Sequence, residues 1–387
     1  MTQRARRTRW AFLRCGDGRY LDVDALLRGE VRVDLEPGLR SFSILTGEEH
    51  ALEPDELEAW LRLPSDRAVE TDEPLVEALV RKGLAVAEGN GAGPRDERLQ
   101  DAGWNLYAAL YHARTRWSGV DLEIGEGDAA ADALRAATRA HLDLHGVPPP
   151  HFHTAPNAVE TRELPVVEPS GGLYEALARR RTSRVFDRSR RLREHDLSVL
   201  LRTVYGVQGT APIGDGASGV RRTSPSGGGL HPVEAYPLVV DVEHVDPGLY
   251  HYHCGDHALE LLERLSRADA EALAAAFTCG QGYFRGASLL VVLAARFDRS
   301  FWKYRGHEKA YAVTLLDAGH LSQTFYLVCA DLRLGAFVTA AINNADIDER
   351  LGLDGFAAGS LAINGCGPLV DEASYLQPHF SPHQPSR

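Results

Sequence analysis

No apolar run in the 387-residue chain reaches membrane-spanning length, and Asp317, His320 and Gln323 interrupt the longest candidate. Arg4, Arg6, Arg7 and Arg9 crowd the N-terminus, but Trp10–Leu13 is cut short by Arg14, so no signal peptide is expected. Cysteine is scarce: Cys15, Cys254, Cys279, Cys329 and Cys366 are scattered, with no Cys-x-x-Cys. That argues against a disulfide framework or a cysteine-based zinc site and fits a reducing compartment. A cytoplasmic protein is therefore the expectation. Positive charge is also in deficit. A formal net charge of −12 argues against nucleic acid as a partner. The glycine loop is not followed by Gly-Lys-Ser/Thr, which excludes a P-loop. Its glycines are contiguous and lead into a strand, which excludes the dinucleotide fingerprint. His307–Tyr311 lacks the second histidine of His-Glu-x-x-His. His251, His253 and Cys254 read better as polar hairpin residues than as metal ligands, so no metal is expected. Cys279 reads as structural and His320 as a buried hydrogen-bonding group.

What is there can bury a sizeable core, since 44% of residues are hydrophobic. Residues 10 to about 88 read as a small winged-helix-like α/β unit. Its strands are expected at Trp10–Arg14, Tyr20–Val23 and Val31–Leu35. Its helices are expected at Pro54–Leu63 and Pro74–Lys82, the second capped by Thr71 or Asp72 and ended by Gly83. Leu84–Val86 then reads as an exposed strand. Acidic residues crowd both helices, so a protein- or peptide-binding unit fits better than a DNA-binding one. A glycine-rich linker, Glu88–Pro94, precedes a helical stretch Arg95–Trp117. An alanine-rich helix follows at Asp128–His145, capped by Asp128 and stopped by Gly146, and then a Pro-punctuated connector. Three regions result: 1–94, a helical connector 95–163, and 164–387.

In the third region, helices are expected at Leu173–Arg181 and Glu194–Val204, and a glycine-rich loop at Gly206–Gly219. Strands are expected at Ala235–Val242, Gly248–His253, Ala258–Leu262 and Ser288–Arg296. A helix buried all round is expected at Lys309–Leu332, ended by Gly335. Ala336–Ala341 then leads to a loop at Asn343-Asn344 and a last strand, Ser360–Asn364.

Two clusters could carry chemistry. Arg180, Arg181, Thr182 and Arg184 supply guanidinium and hydroxyl donors suited to a phosphate. The alternative is a solvated basic turn pairing with Asp187. The run Pro225-Ser226-Gly227-Gly228-Gly229 leaves the backbone bare, so its N–H groups could face a flat or anionic ligand. On glycines alone, a flexible surface loop is the better account.

Four blocks in order resemble the nitroreductase-like flavoproteins, and more narrowly the SagB-type dehydrogenases of ribosomal peptide maturation. They are Arg180–Arg184, Pro225–Glu234, the Lys303-Tyr304 pair with Asp317–His320, and Leu332–Gly335. The resemblance covers Leu164 to about Pro368. It implies an α+β nitroreductase-like fold, with a central mixed or antiparallel sheet flanked by helices. It implies FMN, with Arg180, Arg181, Thr182 and Arg184 at the phosphate. Pro225, Ser226, Gly227 and Gly228 would lie along the ring edge, and Leu334, Gly335 and Ala336 would reach it from the other side. The family's basic residue after its last strand is replaced here by Asn364–Gly367. The implied reaction is oxidation of a thiazoline or oxazoline in a ribosomally made precursor peptide to the azole. Lys303 would serve as base, its proton lost through burial or neighbouring cations, and Tyr304 as relay or orienting group. A snorkelling surface lysine beside a core tyrosine is the alternative. A homodimer and a cyclodehydratase partner are implied too. Two other functions remain: an NAD(P)H-dependent reductase of nitro, quinone or dehydroamino-acid substrates, and a flavin-dead peptide-binding partner protein.

Overall fold

A computed structural model describes residues 3–21, 33–71, 74–89, 92–125, 127–152, 155–165, 167, 169–214 and 217–370. Parts of the expected strands Tyr20–Val23 and Val31–Leu35, the candidate cap Asp72, and Asn90 and Gly91 of the linker lie outside the described residues.

The chain opens with strands β1 (Gln3–Arg7), β2 (Ala11–Leu21), β3 (Val33–Ser43) and β4 (Glu49–Ala51). Helix α1 (Pro54–Arg62), β5 (Val69–Thr71), helix α2 (Pro74–Arg81) and β6 (Ala85–Ala87) follow. They build two antiparallel sheets, β5-β1-β6 and β2-β3-β4, with α1 packed on α2. Leu84, Ala85 and Val86, expected to be exposed, are instead buried. β6 ends its sheet, but helices on both sides of it in sequence pack on its side chains.

Helix α3 (Ala92–Asp101) starts inside the expected linker, and α4 (Leu106–Thr115) follows it. The single helix expected over Arg95–Trp117 is thus two. Gly103 turns the chain at φ +77, and the Asn105 side chain accepts from the backbone N–H of Tyr107 and Ala108 to start α4. Helix α5 (Gly127–His145) stops at Gly146 as expected, but Asp128 lies within it rather than capping it.

Helices α6 (Gly172–Arg179) and α7 (Glu194–Val204) lead to a hairpin of β7 (Gly209–Gly214) and β8 (Ala217–Arg221). That hairpin replaces the loop expected over Gly206–Gly219. Its glycines did not break the ladder, which pairs Gly209 with Arg221 and Thr210 with Val220. A short 3-10 turn, Gly227–Gly229, enters β9 (Val233–Val239). Then come β10 (Gly248–His253), β11 (Ala258–Arg264), α8 (Arg267–Phe277), β12 (Leu289–Arg296), α9 (Phe297–Tyr304) and α10 (Ala310–Asp331). β13 (Leu334–Thr339), α11 (Asn344–Leu351) and β14 (Ala358–Pro368) complete the described chain. The last six strands form one sheet in the order β11-β10-β9-β12-β14-β13, antiparallel at every pairing.

Helix α10 ends at Asp331 with Arg333 at φ +61, and Gly335, expected to end it, lies inside β13. Asn343-Asn344, expected as loop, opens α11. β12 is buried on both faces. Leu289, Val291, Leu293 and Ala295 face one core, and Leu290 and Val292 face the other, which explains its unbroken apolar run. The first core also takes in Trp10, Phe42, Ile44 and Val86, so the N-terminal elements share it with the large sheet. A smaller core of their own contains Leu52, Ala59, Val76 and Leu79. Helix α10 is not buried all round. One side packs inward, while Ala312, Leu315, Leu316, Gly319 and His320 form an exposed stripe at helical spacing. The side chain of His320 is therefore not the buried group expected.

Candidate active site

The four sequence blocks meet in two pairs. Gly228 takes φ +66, and a Cβ on it would stand 2.6 Å from the Tyr304 hydroxyl and 3.0 Å from Lys303 Nζ. The glycine loop and the Lys-Tyr pair, 75 positions apart, therefore close on the same point. Only a residue without a side chain leaves that point open. Lys303 is exposed and Tyr304 half-buried; the Lys303 ammonium lies 5.7 Å from the Tyr304 ring centre. Burial within one chain does not shield Lys303.

The loop is held from behind by Asp317. This residue sits midway along α10 and is only 4% exposed. Its carboxylate accepts from the Ser226 hydroxyl (2.6 Å) and from the Gly227 N–H (3.0 Å). Ser226 Oγ in turn accepts from the His231 N–H (2.9 Å). His231 has φ +47, an uncommon backbone state for a residue with a side chain. Burial holds its imidazole below the usual range, helped by Arg222 and Arg299 and opposed by Asp317. The Gly227 N–H and the Ser226 hydroxyl are thus committed to Asp317 in this structure.

The second pair joins Arg180–Arg184 to β13. Thr182 forms a parallel bridge with Ala336, and the Ser183 N–H donates to the Ala336 carbonyl (2.7 Å). Thr182 Oγ1 lies 3.0 Å from the Tyr326 hydroxyl, and the Arg180 guanidinium lies 5.5 Å from the centre of the Tyr326 ring. Arg184 sits likewise 5.7 Å from Tyr283. Burial pushes the Tyr283 hydroxyl up, with Arg184 opposing. Arg181 is exposed. Ser183 Oγ is buried with no hydrogen-bond partner among the described residues. Gly335 lets it approach, since a Cβ there would fall 3.0 Å from that oxygen. An orphaned buried hydroxyl in the same short run as Arg180 and Arg184, together with the open cradle at Gly228, fits a ligand with an anionic end and a flat end. Asp317 and Tyr326 share α10 and stand nine residues apart, roughly 14 Å along the helix axis.

The stretch Asn364–Gly367 lies inside β14. Asn364 is buried and donates to the Tyr205 hydroxyl (3.0 Å). The histidines weighed against a metal have other partners: His251 contacts Glu260 (2.6 Å) and His253 contacts Asp256 (3.2 Å). Cys254 Sγ accepts from Arg222 (3.1 Å), and Cys279 is buried.

Sequence reasoning missed Asp317 as the anchor of the loop and Tyr326 as the partner of Thr182. An isolated carboxylate in a strongly apolar helix was the available signal for Asp317, because a buried charge needs donors. Val313 was also missed. It packs so close to Gly227 that a Cβ there would fall 2.0 Å from its Cγ1.

Residues 177–366 match the nitroreductase family and form a nitroreductase-family domain with that family's fold. Three proteins give the relationship its detail. The trifolitoxin-processing protein TfxB of Rhizobium leguminosarum bv. trifolii is 26% identical over 228 residues, covering 57% of this chain and 60% of TfxB. The microcin B17-processing protein McbC of Escherichia coli is 28% identical over 166 residues, covering 40% of this chain and 56% of McbC. The chain thus spans less than two thirds of either relative. A structure of the E. coli microcin synthetase McbBCD complex with truncated pro-MccB17 bound aligns at a TM-score of 0.48 and 18% identity, covering 68% of this chain and 92% of the solved one. No described helix is long and apolar enough to cross a membrane.

Proposed function

We propose that the protein is an FMN-dependent dehydrogenase of ribosomal peptide maturation that oxidises a thiazoline or oxazoline to the azole. The observation that carries this reading is the convergence of Lys303 Nζ and the Tyr304 hydroxyl on Gly228. Arg180, Thr182 and Arg184 would hold the phosphate of FMN, and the Ser226–Gly228 and Leu334–Ala336 segments would flank its ring. Bound FMN supplies an acceptor for the hydride leaving one azoline carbon. Lys303 takes the proton from the neighbouring carbon, and Tyr304 orients the ring by its hydroxyl. Asp317 keeps the loop in the shape that leaves Gly228 open. TfxB is a trifolitoxin-processing protein and McbC a microcin B17-processing protein, which supports a peptide-maturation substrate over a nitro compound or quinone. Consumption of NAD(P)H without peptide oxidation would favour the reductase reading instead.

A homodimer belongs to this proposal. Leu316 on α10 is 62% exposed and Leu315 40%, an apolar stripe that a second copy could cover. A second copy would also shield Lys303, which this chain alone leaves open. Sedimentation of the purified protein reads the copy number directly, and a monomer that still turns over would remove the need for that copy.

Leader recognition is assigned to the N-terminal elements. A groove beside β6, bordered by Arg67, Ala68, Val86, Ala87 and Glu97, would take an extended segment. Tethering the leader there raises the local concentration of the ring at the site. Equal KM for full-length and leaderless peptides would remove this role.

Protein purified without added cofactor is expected to show flavin absorption. Arg184→Ala should weaken FMN retention by about tenfold, the loss of one charge-assisted phosphate contact. A colourless protein that fails to bind added FMN would overturn the reading.

A further inference from the structure

We propose that Trp104 and Asn105, in the turn between α3 and α4, are positioning residues for Lys303 and Tyr304. The site would then be completed from outside residues 177–366. This rests on the role given above to Lys303 and Tyr304.

Helix α9 carries both residues at its end and has only eight residues. So short a helix has little stability of its own, and packing must fix it. Phe297 and Phe301, one turn apart, are its inward anchors, and both meet the same ring. Trp104 lies 4.8 Å from Phe297 and 4.7 Å from Phe301, centre to centre. Trp104 cannot rotate freely, because its Nε1–H donates to the Phe356 carbonyl (2.9 Å). His112 stacks on it at 5.1 Å.

The far end of α9 is held by the same turn. The Gly306 N–H donates to the Gly103 carbonyl (2.7 Å), and Asn105 Nδ2 donates back to the Gly306 carbonyl (3.3 Å). Gly103 approaches so closely that a Cβ on it would fall 2.8 Å from Arg305 Cγ. The turn therefore grips α9 from beneath, through its two phenylalanines, and from behind, two residues after Tyr304. Sliding of α9 would move Lys303 Nζ and the Tyr304 hydroxyl away from Gly228. A shift of about 1 Å in such a group can cost up to roughly 100-fold in rate.

The link predates any substrate contact. Asp96 on α3 accepts from Arg6 and Thr8, and its backbone carbonyl accepts from Trp10 Nε1. The elements assigned to leader recognition are thus tied to the helix that ends in this turn.

Two variants of the full-length, FMN-loaded protein test the proposal. Asn105→Asp keeps an oxygen to cap α4 but removes the amide donor to Gly306. Trp104→Phe keeps an aromatic ring but loses its Nε1–H and part of its area. Hydrogen exchange over residues 297–307 should quicken by about tenfold in both, with exchange in β12 and β14 unchanged. With an azoline peptide, kcat should fall by roughly threefold to tenfold in Asn105→Asp and further in Trp104→Phe, with KM and flavin content held. A merely structural role would instead quicken exchange throughout the domain. Wild-type exchange over 297–307 in both variants, or a domain-wide increase, would overturn the proposal. If the wild-type protein oxidised no azoline peptide, the enzyme reading would fall while the exchange measurement still decided whether the turn holds α9.

Discussion

Lys303→Ala is expected to lower azoline oxidation by roughly 100-fold or more, the usual cost of losing a general base, while flavin content and unfolding midpoint stay at wild-type values. The geometry separates these effects. Lys303 Nζ reaches the point above Gly228, but the side chain is exposed and contributes nothing to either core around β12. Its removal should therefore leave the fold intact. Tyr304→Phe should lose less, because a phenyl ring keeps the packing and gives up only an orienting hydroxyl. Steady-state oxidation of an azoline peptide with flavin measured in the same sample checks both. Wild-type turnover by Lys303→Ala would remove Lys303 from the mechanism.

Acidification should destabilise the protein through His112. This residue is 2% exposed, and burial pushes its pKa from 6.5 down to about 3, against the hydrogen bond to Gly355 and with Arg116 adding to the shift. Nε2 lies 2.7 Å from the Gly355 carbonyl and Nδ1 3.0 Å from the Tyr311 hydroxyl. A carbonyl accepts only, so Nε2 carries the proton and Nδ1 accepts from Tyr311. A neutral imidazole satisfies both partners without a charge; a protonated one would turn the Tyr311 hydroxyl into an acceptor and bury a charge in the core. The folded pKa is depressed, so the unfolded chain binds the extra proton first. Stability is complete above about pH 6.5 and is lost as pH falls, by about 1.4 kcal/mol per unit down to about pH 3. Asp348 works in the opposite sense. Burial raises it to about 6 despite its Arg116 pair, so its protonation on acidification offsets part of the loss. Urea unfolding of wild type and His112→Gln between pH 7 and pH 4 isolates the histidine, since Asp348 is common to both. The wild type should lose more stability than the variant across that range; parallel curves would show that His112 does not titrate as a buried neutral group.

Much of the candidate site was legible because its parts are local runs. Arg180–Arg184, Pro225–Gly229 and Lys303-Tyr304 each stand out over a few residues, and the strong patterns of β10, β12 and α7 come within a residue of their observed bounds. What remained hidden was long-range. Nothing near Asp317 in sequence says that its donors are Ser226 and Gly227, 91 and 90 positions away. Trp104 fell inside the single helix expected over Arg95–Trp117, whereas it sits in a turn beneath α9. Glycine was the least reliable guide. It read as a loop over Gly206–Gly219, where a hairpin formed, and as a helix stop at Gly335, where close approach to Ser183 is what a side chain would obstruct.

The most direct test is mass spectrometry of an azoline-bearing precursor peptide incubated with the flavin-loaded protein in air, without NAD(P)H. The account predicts that each azoline ring loses two hydrogens and that Lys303→Ala leaves the peptide unchanged over the same interval. An unchanged peptide with the flavin-loaded wild-type protein, supplied with its leader, would contradict it.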